Sequence, residues 1–130
     1  MARTALTSVL LVEDDPDIQL VAYLALADIG GLKVEVCGTG REALSVAPRF
    51  RPDLILLDVM MPDMDGVAAL HALRAGPETG KIPVVFMTAR AQQHELDRYR
   101  ELGSLGVITK PFEAATLAEA LRGLWERHVS

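Results

Sequence analysis

Of the 130 residues only one, Cys37, is a cysteine. No intramolecular disulfide can form, and a structural zinc site built on cysteines is excluded. Cys37 lies in the apolar run VEVC and reads as a buried structural thiol. No apolar stretch approaches the roughly 20 residues of a membrane span. The opening MARTALTSVLLVEDD has one arginine and a short apolar run that meets acids at once, too short and wrongly flanked for a secretion signal. Basic residues are outnumbered, 13 Lys and Arg against 18 Asp and Glu, for a net charge of −5. The repulsive long-range field disfavours nucleic acid and anionic membrane as partners, and a cytoplasmic location is expected. There is no repeat, no low-complexity tract and no linker-like segment, so residues 1–130 read as a single domain with room for one core.

What is present is regular. Half the residues are apolar and 24% are charged, a globular balance. Short apolar runs at Val9–Val12, Val34–Cys37, Leu54–Leu57, Val84–Met87 and Gly106–Thr109 are strand candidates. The first, third and fourth lack polar alternation, which suits strands covered on both faces. Helical patterns lie between and after them, at 16–28, 40–49, 66–75, 91–102 and 113–127. In the first, Asp15 is placed to cap and Pro16 fits the first turn. Ile18, Val21, Ala22, Ala25 and Ile29 follow at helical spacing, and Gly30-Gly31 ends the run. The last helix carries Leu117, Leu121, Leu124 and Trp125 on one stripe, either core or in part a dimer face. Strict alternation predicts an α/β fold: one doubly wound, five-stranded parallel sheet with helices on both faces. GPETGKIP at 76–83 reads as the loop before the fourth strand.

Two strands run into acid: Glu13-Asp14-Asp15 after VLLV, and Asp58 after LILL. In a parallel sheet the strand C-termini share one edge, where ligands bind, so Glu13, Asp14 and Asp58 are expected to converge. Two carboxylates ~5 Å apart repel by ~3 kcal/mol at an effective dielectric of ~20. Protonation, a cationic side chain or a metal relieves this, and hard oxygen ligands suit Mg²⁺ or Mn²⁺. Asp15 is accounted for by capping alone. Thr88 follows VVFM and Lys110 follows GVIT, which adds a hydroxyl and an ammonium to the same edge. Together these are the parts needed to handle a phosphoryl group, with a carboxylate as nucleophile.

In its motifs LLVEDDP, DLILLDVMMPDMDG, VVFMTAR and VITKPF, in that order from Ser8 to about Arg127, the sequence resembles a response-regulator receiver domain of two-component signalling. The resemblance implies a flavodoxin-like fold with strand order 2-1-3-4-5. It implies that Asp58 accepts phosphate from a sensor histidine kinase or phosphotransfer protein. Asp14, Asp58 and the Met60 carbonyl would hold Mg²⁺, with Glu13 acting through water. Thr88 would be the switch hydroxyl and Lys110 the phosphoryl-pairing lysine, its bond to Pro111 resembling the family's cis peptide. Asp63, Asp65 and Gly66 match the turn into the third helix, read as structural: Asp65 as a cap, Gly66 for backbone freedom. Such a chain is a switch that catalyses its own phosphoryl acceptance, not an enzyme with a free substrate. Its output is expected through contact with a downstream protein, or a homodimer through the helix 4–strand 5–helix 5 face.

One position departs from the family pattern. Three residues before the lysine the family usually has Tyr or Phe, whose ring swings inward when the threonine moves; here it is Val107. We expect Thr88 still to move, with output carried by the adjoining loop and helix 4. Met60 and Arg90 stand at the two positions that tune phosphoryl lifetime in the family. Neither is an obvious base for attacking water, so slow self-dephosphorylation is expected.

Other readings are weaker. GPETGK lacks the spacing of a Walker A loop. A haloacid-dehalogenase-type phosphatase resembles D-x-D after a strand, and Met60 occupies the second position. His71, His94 and His128 form no ligand spacing and read as surface residues. The rival function is a non-phosphorylated receiver used for docking or dimerisation.

Overall fold

The structure is a computed structural model that describes residues 5–129. Arg3, on which the reading of the N-terminal segment partly rests, and the terminal Ser130 lie outside them.

Strands β1 (Ser8–Val12), β2 (Lys33–Cys37), β3 (Leu54–Asp58), β4 (Val84–Thr88) and β5 (Gly106–Thr109) form one sheet in the order β2-β1-β3-β4-β5. Every neighbouring pair is parallel, with Leu11 opposite Leu56, Asp58 opposite Met87 and Phe86 opposite Val107. The expected order and strand direction hold. The helices are α1 (Pro16–Leu24), α2 (Gly40–Phe50), α3 (Gly66–Ala75), α4 (Gln93–Glu101) and α5 (Leu117–Val129).

Alternation along each strand separates two apolar layers. Val9, Leu11, Leu56 and Met87 pack with Leu26 of the first helical segment and with Leu117, Leu121 and Trp125 of α5. Leu10, Ile55, Leu57 and Phe86 pack with Ala43 of α2, Leu70 and Leu73 of α3 and Tyr99 of α4. β3 and β4 are buried along their whole lengths, as runs without polar alternation require. Each leucine fully withdrawn from water stabilises the fold by about 2 kcal/mol. Leu117, Leu121 and Trp125 are thus core, not a dimer face, and only Leu124 is partly exposed.

Three local features differ from the sequence reading. The first helix passes into a π-helical turn at Ala25–Ile29, closed by Gly30 N–H to the Ala25 carbonyl at 3.0 Å. The wider turn shifts the phase of the apolar stripe. Within it Leu26 enters the core and Ile29, expected there, stands exposed; Val21, also expected in the core, is exposed one turn earlier, on the regular part of α1. α5 begins at Leu117 instead of 113, because Glu113–Thr116 closes as a tight turn, Thr116 N–H to the Glu113 carbonyl at 3.2 Å. Gly66 is required by space and not by backbone freedom: a Cβ there would overlap the Asp58 carbonyl oxygen and the Val59 Cα. The helix that follows β3 can leave the strand end so closely only because residue 66 has no side chain.

Candidate functional site

The ends of the strands are stitched together. Glu13 N–H donates to the Cys37 carbonyl at 3.0 Å, Val59 N–H to Met87 at 3.0 Å and Lys110 N–H to Thr88 at 2.9 Å. These bonds carry the ladder one residue past β1, β3 and β5, so the residues at those ends are held by the sheet itself. Glu13, Asp58 and Thr88 are each 1% exposed, a burial that carboxylates seldom reach without partners.

The partner is Lys110. Its Nζ lies 2.6 Å from Glu13 Oε1 and 3.1 Å from Asp58 Oδ1. Burial works against the charge on Lys110, but hydrogen bonds to Glu13 and Asp58 and their attraction outweigh it and raise its pKa. The second Glu13 oxygen accepts from Asp15 N–H at 3.1 Å, and Asp58 Oδ1 also accepts from Met60 N–H at 3.3 Å. Asp15 caps α1 as expected, accepting from Asp17 N–H at 2.8 Å. Gln19, which sequence reasoning missed, donates its side-chain amide to the Glu13 carbonyl and ties the β1–α1 loop to the helix. A glutamine set among Ile18, Leu20 and Val21 was the available signal.

Glu13, Asp14 and Asp58 each offer a carboxylate oxygen within 4.8 Å of the others, Asp14 from an exposed position. Three hard oxygen donors at that separation, open to water on one side, fit a small divalent cation. Thr88 stands at the same edge, but its hydroxyl accepts from Arg90 N–H at 3.0 Å. Among the described residues no hydrogen bond joins that hydroxyl to Asp58 or to the Lys110 ammonium. The Lys110–Pro111 peptide is cis. Asp65 caps α3 through Ala68 N–H at 2.8 Å, and Asp63 adopts φ 69° and pairs with Arg41 at 2.7 Å, so neither joins the acidic cluster. His71, His94 and His128 are exposed, and Cys37 is buried.

Next to Lys110 a cavity of about 480 Å³ is lined by Asp17, Ile18, Val21, Pro111 and Phe112. Leu20, Val21 and Leu24 leave an exposed apolar face on α1 beside it. Among the described residues no helix is long and apolar enough to cross a membrane.

A doubly wound sheet with buried acids and a lysine at its C-terminal edge defines a class of phosphate-handling switch domains. Residues 9–122 match the family model described as "Response regulator receiver domain", and the chain belongs to that family. It is therefore a receiver domain of two-component response regulators, a signalling module and not an enzyme of the usual kind, and the family binds Mg²⁺ at an acidic site and interacts with histidine kinases. The chain is 35% identical over 120 residues to "Probable transcriptional regulatory protein TcrX" of Mycobacterium tuberculosis, covering 92% of this chain and 50% of that one. It is 36% identical over 121 residues to "Transcriptional regulatory protein CseB" of Streptomyces coelicolor, covering 93% and 50%. Among solved structures, the chemotaxis protein CheY4 of Vibrio cholerae superposes with a TM-score of 0.84 at 32% identity, covering 92% of this chain and 99% of that one. The chain spans about half the length of the curated relatives it matches. Both of those relatives are named transcriptional regulatory proteins.

Proposed function

We propose that residues 1–130 form one receiver domain in which Asp58 accepts a phosphoryl group from a sensor histidine kinase or phosphotransfer protein. An Asp58 carboxylate oxygen attacks phosphorus, the bond from phosphorus to the donor nitrogen breaks, and its electron pair stays on the imidazole, which then takes up a proton. Lys110, 3.1 Å from Asp58, needs only to turn to donate to an oxygen of the incoming group. Thr88 exchanges its Arg90 bond for another phosphoryl oxygen. Glu13, Asp14, Asp58 and the Met60 carbonyl would hold Mg²⁺, or Mn²⁺ in its place. When bound, the metal supplies positive charge to the transferring group. The phosphoryl group adds a charge of about −1.5 to −2, which biases a two-state element. The reading places the domain in the cytoplasm, with the apolar α1 face beside the cavity as the seat for a helix of the phosphodonor.

The observation that carries this reading is the position of Lys110 between two buried carboxylates, within an acidic cluster that suits a divalent cation. The test is intact mass after incubation with acetyl phosphate, with and without Mg²⁺, beside Asp58→Asn. A Mg²⁺-dependent gain of one phosphoryl, absent in the variant, is expected. No gain in the wild type would favour the rival, a docking or dimerisation domain that is not phosphorylated.

A further inference from the structure

The ring missing at 107 has a counterpart on another element. Val107 sits on β5 directly opposite Phe86 of β4. Over Phe86 lies the ring of Tyr99, from α4, with centroids 5.1 Å apart and planes inclined at 51°. Tyr99 is 4% exposed and is the one side chain of α4 among the described residues that is fully buried. The rest of that helix, QHELDRYRE, is polar apart from Leu96, so α4 is anchored to the sheet chiefly through this ring. Phe86 and Thr88 are two residues apart on one strand and therefore face the same side. Thr88, Phe86 and Tyr99 thus form a row on one side of the sheet. Beside the row a cavity of about 200 Å³, lined by Leu96, Arg100, Ser104, Gly106 and Val107, leaves α4 room to shift over β5.

We infer that Tyr99 is the residue through which the state of Asp58 is read at α4, as a positioning residue that takes over on the helix what a ring at 107 would do on the strand. The inference rests on the phosphoacceptor reading. Release of Arg90 N–H by Thr88 frees the loop that leads into α4, and the Tyr99 ring must then settle in a new position against Phe86, because packed rings move between discrete arrangements. Val107 cannot block that movement, being small and only partly buried.

Tyr23 and Tyr99 are the two tyrosines of the chain, so 3-fluorotyrosine labelling yields two fluorine resonances, the second assigned by its loss in Tyr99→Phe. The labelled chain is treated with acetyl phosphate and Mg²⁺, and phosphoryl gain is read by mass in the same tube. The Tyr99 resonance is expected to move by more than its linewidth and the Tyr23 resonance to stay. In unlabelled protein, amide shifts across Gln93–Glu101 on phosphorylation are expected to persist in Tyr99→Phe and to fall at least severalfold in Tyr99→Leu, with those around Asp58 retained. Phosphoryl gain with an unmoved Tyr99 resonance, or undiminished α4 shifts in Tyr99→Leu, would overturn the inference and leave the phosphoacceptor reading standing. Absence of phosphoryl gain would overturn both.

Discussion

Lys110 and Glu13, 97 residues apart in the chain, meet at 2.6 Å, closer than Lys110 and Asp58 at 3.1 Å. The lysine is thus the resident cation of an acidic cluster that also offers a place to a divalent ion. Lys110→Met is expected to destabilise the metal-free protein by about 2 kcal/mol, because two buried carboxylates lose their counter-charge. Mg²⁺ should restore more stability to this variant than it adds to the wild type; a ligand at 100 times its dissociation constant adds about 2.7 kcal/mol. Urea unfolding of both proteins with and without Mg²⁺ checks this. The raised Lys110 pKa sets the sign of the pH effect: its contribution is complete below the ordinary lysine value of 10.5 and is lost as pH climbs through the higher folded value.

Met60 is exposed beside Asp58, and the Arg90 side chain is exposed on the neighbouring loop. Neither side chain is a base for an attacking water, so the phosphoryl group should persist for minutes or longer. Met60→Asn places a hydrogen-bonding side chain at the mouth of the site and is expected to shorten the lifetime about tenfold, a barrier change of about 1.4 kcal/mol. Loss of the acid-labile phosphoryl mass over time measures it. A wild-type half-life of seconds would contradict the assignment.

Seating of the donor on the apolar face of α1, as proposed, can be tested apart from the chemistry. Val21→Glu puts a charge on the rim of the cavity beside Lys110, at a side chain that is already exposed. Transfer from a phosphohistidine donor protein should slow by about tenfold or more, the equivalent of about 1.4 kcal/mol. Uptake from acetyl phosphate should be unchanged. Equal loss with both donors would place the effect in the site and not at the docking face.

Burial, together with the negative charges of Glu42 and Glu35, pushes the Cys37 thiol from 9.0 up to about 12, with Arg49 opposing. The folded chain therefore keeps the thiol proton over a range in which the unfolded chain loses it. The contribution of this group is complete below pH 9 and falls between pH 9 and 12 by at most about 1.4 kcal/mol per pH unit. Cys37→Ala should flatten the fall between pH 9 and 10, where the Lys110 contribution is still complete, as read from denaturant midpoints across that range.

Much of this molecule is written locally in its sequence. Apolar runs without alternation mark β1, β3 and β4, since a strand covered on both faces needs no polar side. Asp15 before Pro16, and Asp65 before α3, are legible as caps because a cap acts over three residues. Acid at the ends of β1 and β3 and a lysine after β5 are enough to place Glu13, Asp14, Asp58 and Lys110 at one edge, because parallel strands all end on the same side.

Only the tertiary structure decided which carboxylate the lysine reaches first, since ångström differences across 97 residues depend on how all five strands are registered. The π turn at Ala25–Ile29 likewise escapes a 3.6-residue pattern, and with it the exposure of Ile29. Gly66 is ambiguous in sequence between a flexible turn and a close approach, and the Asp58 carbonyl above it settles the matter. Val107 reads in sequence as a lost ring. That a tyrosine eight residues earlier packs over the strand partner of Val107 follows from the placement of α4 on the sheet, which no local pattern encodes.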